Sequence, residues 1–129
     1  MIALDADILL RYFVEDDQAP SRAAIQFMES VLTEAEPGFV PLLALCDLAW
    51  SLKRTYRFSR TEIAGAISRL LDARQIEVEH SDLVRRALER PSTGFADAII
   101  HEVGRLNGCT HTVTFDRKFA RLEGVELLK

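Results

Sequence analysis

The chain has 129 residues, of which 48% are hydrophobic and 28% charged, and its formal net charge is −4. That composition excludes a disordered chain, and the length suits one domain, residues 1–129, with a buried core. No apolar run approaches the roughly 20 residues of a membrane span, and no overall basic footprint announces nucleic acid, although local clusters rather than the total decide contact with phosphate.

The opening run Met1–Leu4 is apolar and stops at Asp5, with Asp7 two residues on. It reads as a buried strand whose carboxyl end turns into a helix over Ile8–Phe13. No signal peptide is expected, because Asp5 and Asp7 interrupt the apolar stretch. Glu15, Asp16 and Asp17 read as a solvated turn. Pro20 and Ser21 open a second helix, with Ala23, Ala24, Phe27, Met28, Val31 and Leu32 at helical spacing. Pro37 and Gly38 break it before a short strand over Phe39–Pro41.

A third helix is expected over Leu42–Tyr56, with Leu45, Leu48, Ala49 and Leu52 on one face. Ser59 and Glu62 form a capping-box pair ahead of a fourth helix carrying Ile63, Ala66, Ile67, Leu70 and Leu71. Gln75–Glu79 alternates as a strand, and Ser81 or Asp82 caps a helix through Leu88. Residues 91–94 read as a loop. A strong helix follows over Phe95–Leu106, ended by Asn107 and Gly108. Cys109–Thr114 reads as a strand, Lys118–Leu122 as a helical turn, and Val125–Leu128 as a last strand. Strands alternating with helices indicate an α/β fold with a mostly parallel sheet, in which a site forms outside the carboxyl ends of the strands. Cys46 and Cys109 lack metal or redox spacing and are expected to be reduced, buried thiols of a cytoplasmic protein.

Five acids stand out by context: Asp5, Asp7, Asp47, Asp97 and Asp116. Asp5 and Asp116 follow strands. Asp47 interrupts the apolar opening of a helix, where an unpaired charge is costly. Asp97 lies in the first turn of the Phe95 helix. Each also has a plainer reading: Asp97 complements the helix dipole, Asp47 pairs with Lys or Arg, and Asp116 is a turn acid. Together, carboxylates without Cys or His partners suit a hard divalent cation, Mg²⁺ or Mn²⁺. Such an ion activates water against a phosphodiester, the chemistry of a nuclease.

Four segments carry a family resemblance: Leu4–Tyr12, Val40–Trp50, Phe95–Ile100 and Thr114–Ala120. In that order they resemble a PIN domain, and specifically a VapC-type toxin of a toxin–antitoxin pair. The resemblance runs the length of the chain. It implies a three-layer α/β/α fold with central strand order 3-2-1-4-5. It also implies Mg²⁺-dependent endoribonuclease activity on RNA, a homodimer, and inhibition by a cognate antitoxin. Asp5, Asp97 and Asp116 match the family's metal-binding acids. Asp47 falls where Glu is usual, one methylene shorter, so a water bridge to the metal is expected there. Asp7 replaces the usual Asn, Ser or Thr and adds a charge. Thr114 matches a hydroxyl position expected to orient Asp116 or a water.

Arg11, Arg117 and Lys118 are the candidate phosphate contacts, with Lys53, Arg54 and Arg57 behind them. His101 shares a helix face with Asp97 but reads more simply as a surface or core histidine, and His80 and His111 lack ligand spacing. Trp50, Tyr12 and Phe13 are candidates for an antitoxin groove, with core or dimer packing as the default. Two other readings stay open. One is a PIN-like binding module without catalysis, motivated by Asp47 and Asp7. The other is a phosphatase with Asp5 as nucleophile, since Asp5 and Asp7 resemble the opening of haloacid-dehalogenase-like enzymes. No well-placed Lys or later acidic pair completes that second site.

Overall fold

Parallel strands joined by helices make up the architecture. A computed structural model describes residues 1–15, 18–90 and 93–129, and the chain divides into two compact units, Met1–Ser81 and Asp82–Lys129. The turn expected at Asp16 and Asp17, and the Pro91–Ser92 part of the later loop, lie outside the described residues.

In the first unit, β1 (Ile2–Ala3) leads into α1 (Ala6–Phe13) and α2 (Ala19–Gln26). Then come β2 (Gly38–Val40), α3 (Leu42–Arg54), α4 (Arg60–Asp72) and β3 (Ile76–Val78). The sheet order is β1-β2-β3, with both pairings parallel. Strands pointing the same way must be joined by crossovers, and helices supply them here. α1 packs on α2 and α3. Leu9, Val40, Leu45, Leu48, Leu52 and Ile67 are fully buried, each such aliphatic side chain contributing about 2 kcal/mol by leaving water. Gly38 is required by close approach: a Cβ there would lie 2.8 Å from Leu4 Cδ1 and 2.9 Å from Leu32 Cδ1.

The Ser59 capping box forms as the sequence indicates. Ser59 Oγ accepts from Glu62 N–H at 3.1 Å, and Glu62 Oε1 accepts from Ser59 N–H at 2.8 Å. Two expectations are corrected. The second helix does not stay regular: Phe27–Val31 is a π-helical turn closed by Leu32 N–H on Phe27 C=O. The wider turn shifts the register, so Met28 and Leu32 are buried while Val31 is 53% exposed. The first strand is not buried either. Ile2 and Ala3 are exposed, and only Leu4 beyond them enters the core.

In the second unit, α5 (Ser81–Leu88) and α6 (Phe95–Leu106) precede β4 (Thr112–Thr114), a 3₁₀ turn (Phe119–Arg121) and β5 (Val125–Leu127). β4 and β5 pair in parallel. The strand expected from Cys109 begins only at Thr112, because Cys109 N–H is spent on Gly104 C=O in the turn that ends α6. Cys109 is consequently exposed rather than buried, and Cys46 is half-buried; both are free thiols. The fold is α/β, with every described strand pairing parallel. The segments 3-2-1 and 4-5 of the expected strand order each appear within one unit. No helix among the described residues is long and apolar enough to cross a membrane.

Candidate active site

The carboxyl ends of β1, β2 and β3 point the same way, so the residues that leave them share one edge of the first unit. Asp5 leaves β1 as the N-cap of α1, in extended conformation (φ −77°, ψ 153°) and with no side-chain capping bond. Its carboxylate is exposed and not committed to the helix it opens. Asp7, in the first turn, pairs with Arg11 one turn on, Oδ1 to Nε at 3.6 Å. That distance is too long for a hydrogen bond, and Arg11 Nε has no hydrogen-bond partner. The extra charge at position 7 is thus offset locally, and Arg11 is tied to it.

Asp47 lies in α3, which follows β2. It is exposed, on the side of the helix away from Leu45, Leu48 and Leu52. The burial cost expected from its apolar context is therefore absent. Glu79, just beyond β3, is an acid the sequence reading passed over. Its Oε1 accepts from Leu42 N–H at 2.8 Å, capping α3 from outside that helix. The signal was available, because Glu79 follows a strand as Asp5 does.

In the second unit, Asp97 occupies the first turn of α6, with Gly94 as N-cap. Its Oδ2 reaches back to within 3.5 Å of where a Cβ on Gly94 would stand. Asp116 leaves the carboxyl end of β4. Its Oδ1 accepts from Lys118 N–H at 2.8 Å and from Phe119 N–H at 3.2 Å, holding the turn that starts the 3₁₀ segment. Thr114 Oγ1 accepts from Asp116 N–H at 3.0 Å. Both bonds to the Asp116 carboxylate use Oδ1, and Oδ2 has no hydrogen-bond partner among the described residues. Arg117 and Lys118 are exposed beside it.

Within each unit, among the described residues, no three His, Cys, Asp or Glu side chains gather as a ready metal cage. Mg²⁺ rarely uses such a cage; it commonly takes one or two carboxylates and keeps several waters. The uncommitted carboxylate of Asp5 and the Oδ2 of Asp116 are donors of that hard-oxygen kind.

Two further acid–base residues lie deeper. Glu102, on α6, is 2% exposed. It accepts from Arg90 Nη2 at 2.8 Å and Nε at 3.1 Å, and from Arg86 Nε at 3.3 Å. Burial pushes its carboxyl up, but the hydrogen bonds from Arg90 and Arg86 hold it below the ordinary glutamate value. His101 is the core histidine that the plainer reading expected, with Nδ1 2.8 Å from Thr112 Oγ1. Trp50, by contrast, is 56% exposed, with the Arg54 guanidinium 4.9 Å from its ring centroid.

The sequence model described as PIN domain matches residues 2–125. Among curated proteins, the chain is 26% identical over 126 residues to a VapC ribonuclease of Aquifex aeolicus (strain VF5). The alignment covers 95% of this chain and 92% of that relative.

Proposed function

Because the chain belongs to the PIN domain family, we propose that it is a VapC-type endoribonuclease, the toxin of a toxin–antitoxin pair, acting as a single domain over residues 1–129. The family match over residues 2–125 carries this reading. The relative named as a VapC ribonuclease supports it.

Asp5, Asp97 and Asp116 hold a divalent cation, Mg²⁺ or Mn²⁺. When bound, that ion supplies an activated water and offsets the charge that builds on the phosphodiester. Asp47, with its short side chain, acts through water. Thr114 fixes the backbone of Asp116, and the Asp116 Oδ1 bonds to its own turn hold the carboxylate in place. Asp7 adds negative charge that Arg11 offsets. Arg117 and Lys118, next to Asp116, bind RNA phosphates and set the register of the strand; Arg11 contributes from the α1 side. The partners are RNA, a cognate antitoxin and a second copy of the chain, in the cytoplasm.

Cleavage of single-stranded RNA in Mg²⁺ tests the reading. Activity is expected to vanish with a chelator and to return with excess Mg²⁺ or Mn²⁺. Undiminished cleavage in chelator would overturn the metal dependence. No turnover on any RNA, with no divalent ion bound by calorimetry, would leave a binding module.

A further inference from the structure

The second unit contains a cleft of ≈ 350 Å³ lined by Arg90, His101, Arg105, Cys109, Thr110 and Glu123. That is the lower end of the roughly 300–1,000 Å³ of small-molecule sites. It sits by the carboxyl end of α6, whereas Asp97 sits at the amino end of the same helix. None of the proposed catalytic acids lines it.

We propose that this cleft binds a phosphate-sized oxyanion. Two guanidiniums face one carboxylate, Glu123, across its walls. Arg90 is held in position by Glu102, which accepts from its Nε and Nη2 and leaves the Nη1 donors and the second Nη2 N–H of the guanidinium. The Arg105 guanidinium makes no hydrogen bond or ion pair among the described residues, and its planar fork suits a phosphate or carboxylate. Thr110 adds a hydroxyl, whose Oγ1 lies 2.9 Å from His111 Nδ1 and keeps capacity for a second bond. Two guanidiniums with donors left over are what an oxyanion requires and a cation would avoid.

Two other observations agree. His101 is buried, with Nδ1 committed to Thr112, and it lines the cleft. Gly124, at φ +86°, keeps that edge of the ring clear. A Cβ there would lie 3.0 Å from His101 Cε1 and 3.3 Å from Nε2. Burial lowers the His101 pKa, and Arg90 and Arg105 lower it further against the opposing Glu102. Burial and the two guanidiniums thus favour the neutral ring. The carbonyl end of α6 contributes about half a negative charge. With Glu123, and with Glu102 already paired to Arg90, this offsets most of the two guanidiniums, so binding is millimolar rather than tight.

The inference does not rest on the nuclease reading, because Cys109 reports on the cleft directly. Iodoacetamide alkylation of Cys109 is followed by mass spectrometry, with Cys46 as internal reference and chloride as ionic-strength control. Millimolar inorganic phosphate is expected to slow Cys109 alkylation several-fold and to leave Cys46 unchanged. In Arg105→Gln the protection is lost; Arg105 is exposed, and an unchanged melting temperature shows that the variant is folded. Adenosine monophosphate is the second arm. Stronger protection than phosphate identifies a nucleotide or RNA phosphate as the source, and equal protection identifies free phosphate. Protection by neither ligand overturns the proposal, and so does equal protection in wild type and in both Arg105→Gln and Thr110→Val.

Discussion

Asp116→Asn leaves the fold intact and lowers RNA cleavage about 100-fold or more. The lower bound follows because residues that only orient metal ligands already cost 10- to 100-fold when removed. The substitution separates chemistry from structure. The Oδ1 of Asp116 caps its own turn through Lys118 and Phe119 N–H groups, and an asparagine Oδ1 accepts the same two bonds. Lost are the charge and the second acceptor oxygen, the features a hard cation requires. Thermal melting and cleavage rate are measured on one preparation. A melting temperature close to wild type with cleavage near background is expected. Equal cleavage would reduce Asp116 to a turn acid.

Arg90→Ala is expected to destabilise the protein by about 2–3 kcal/mol. Removing one partner of a buried ion pair typically costs about 3–5 kcal/mol, because the other charge stays buried and uncompensated. The figure is discounted because the Arg90 side chain is 26% exposed and Arg86, 49% exposed, still reaches Glu102. The sign of the pH dependence follows from the depressed Glu102 pKa. A carboxyl whose folded pKa lies below its unfolded value contributes stability above the unfolded value, about 4.3. That contribution is lost as pH falls through the folded value. Urea unfolding at neutral pH therefore shows the full gap between wild type and Arg90→Ala, and the gap closes in acid below about pH 4.3. A gap that persists unchanged into acid would place the effect in lost packing instead.

Much of this was legible in the sequence, for physical reasons. The α6 bounds follow from the turn residues before Phe95 and the Asn107–Gly108 stop, although its buried face, Ala98, Ile99, His101 and Glu102, follows no apolar stripe and Ile100 is exposed. The fourth helix declares itself through Ser59 and Glu62, a signal that needs only neighbours in the chain. Asp5 is located by an apolar run that ends in an acid, and Asp116 by the β-branched strand it follows. What failed depends on tertiary context. The π turn at Phe27–Val31 obeys no local rule, and the late start of β4 depends on Cys109 N–H being spent on α6. Asp47 looked buried because its neighbours are apolar, but a helix puts a residue two places from Leu45 on the far side. Glu102 gave no signal, since its partners Arg86 and Arg90 lie 16 and 12 residues away and periodicity cannot show which side chains meet.

Cleavage of single-stranded RNA in Mg²⁺ by wild type and Asp97→Asn is the most direct measurement. Loss of the charge in the first turn of α6 costs only about 0.3–1 kcal/mol through the helix dipole, so the variant remains folded for the comparison. Wild type is expected to cut and Asp97→Asn to fall to background; equal rates in both would mean that this carboxylate takes no part in RNA cleavage.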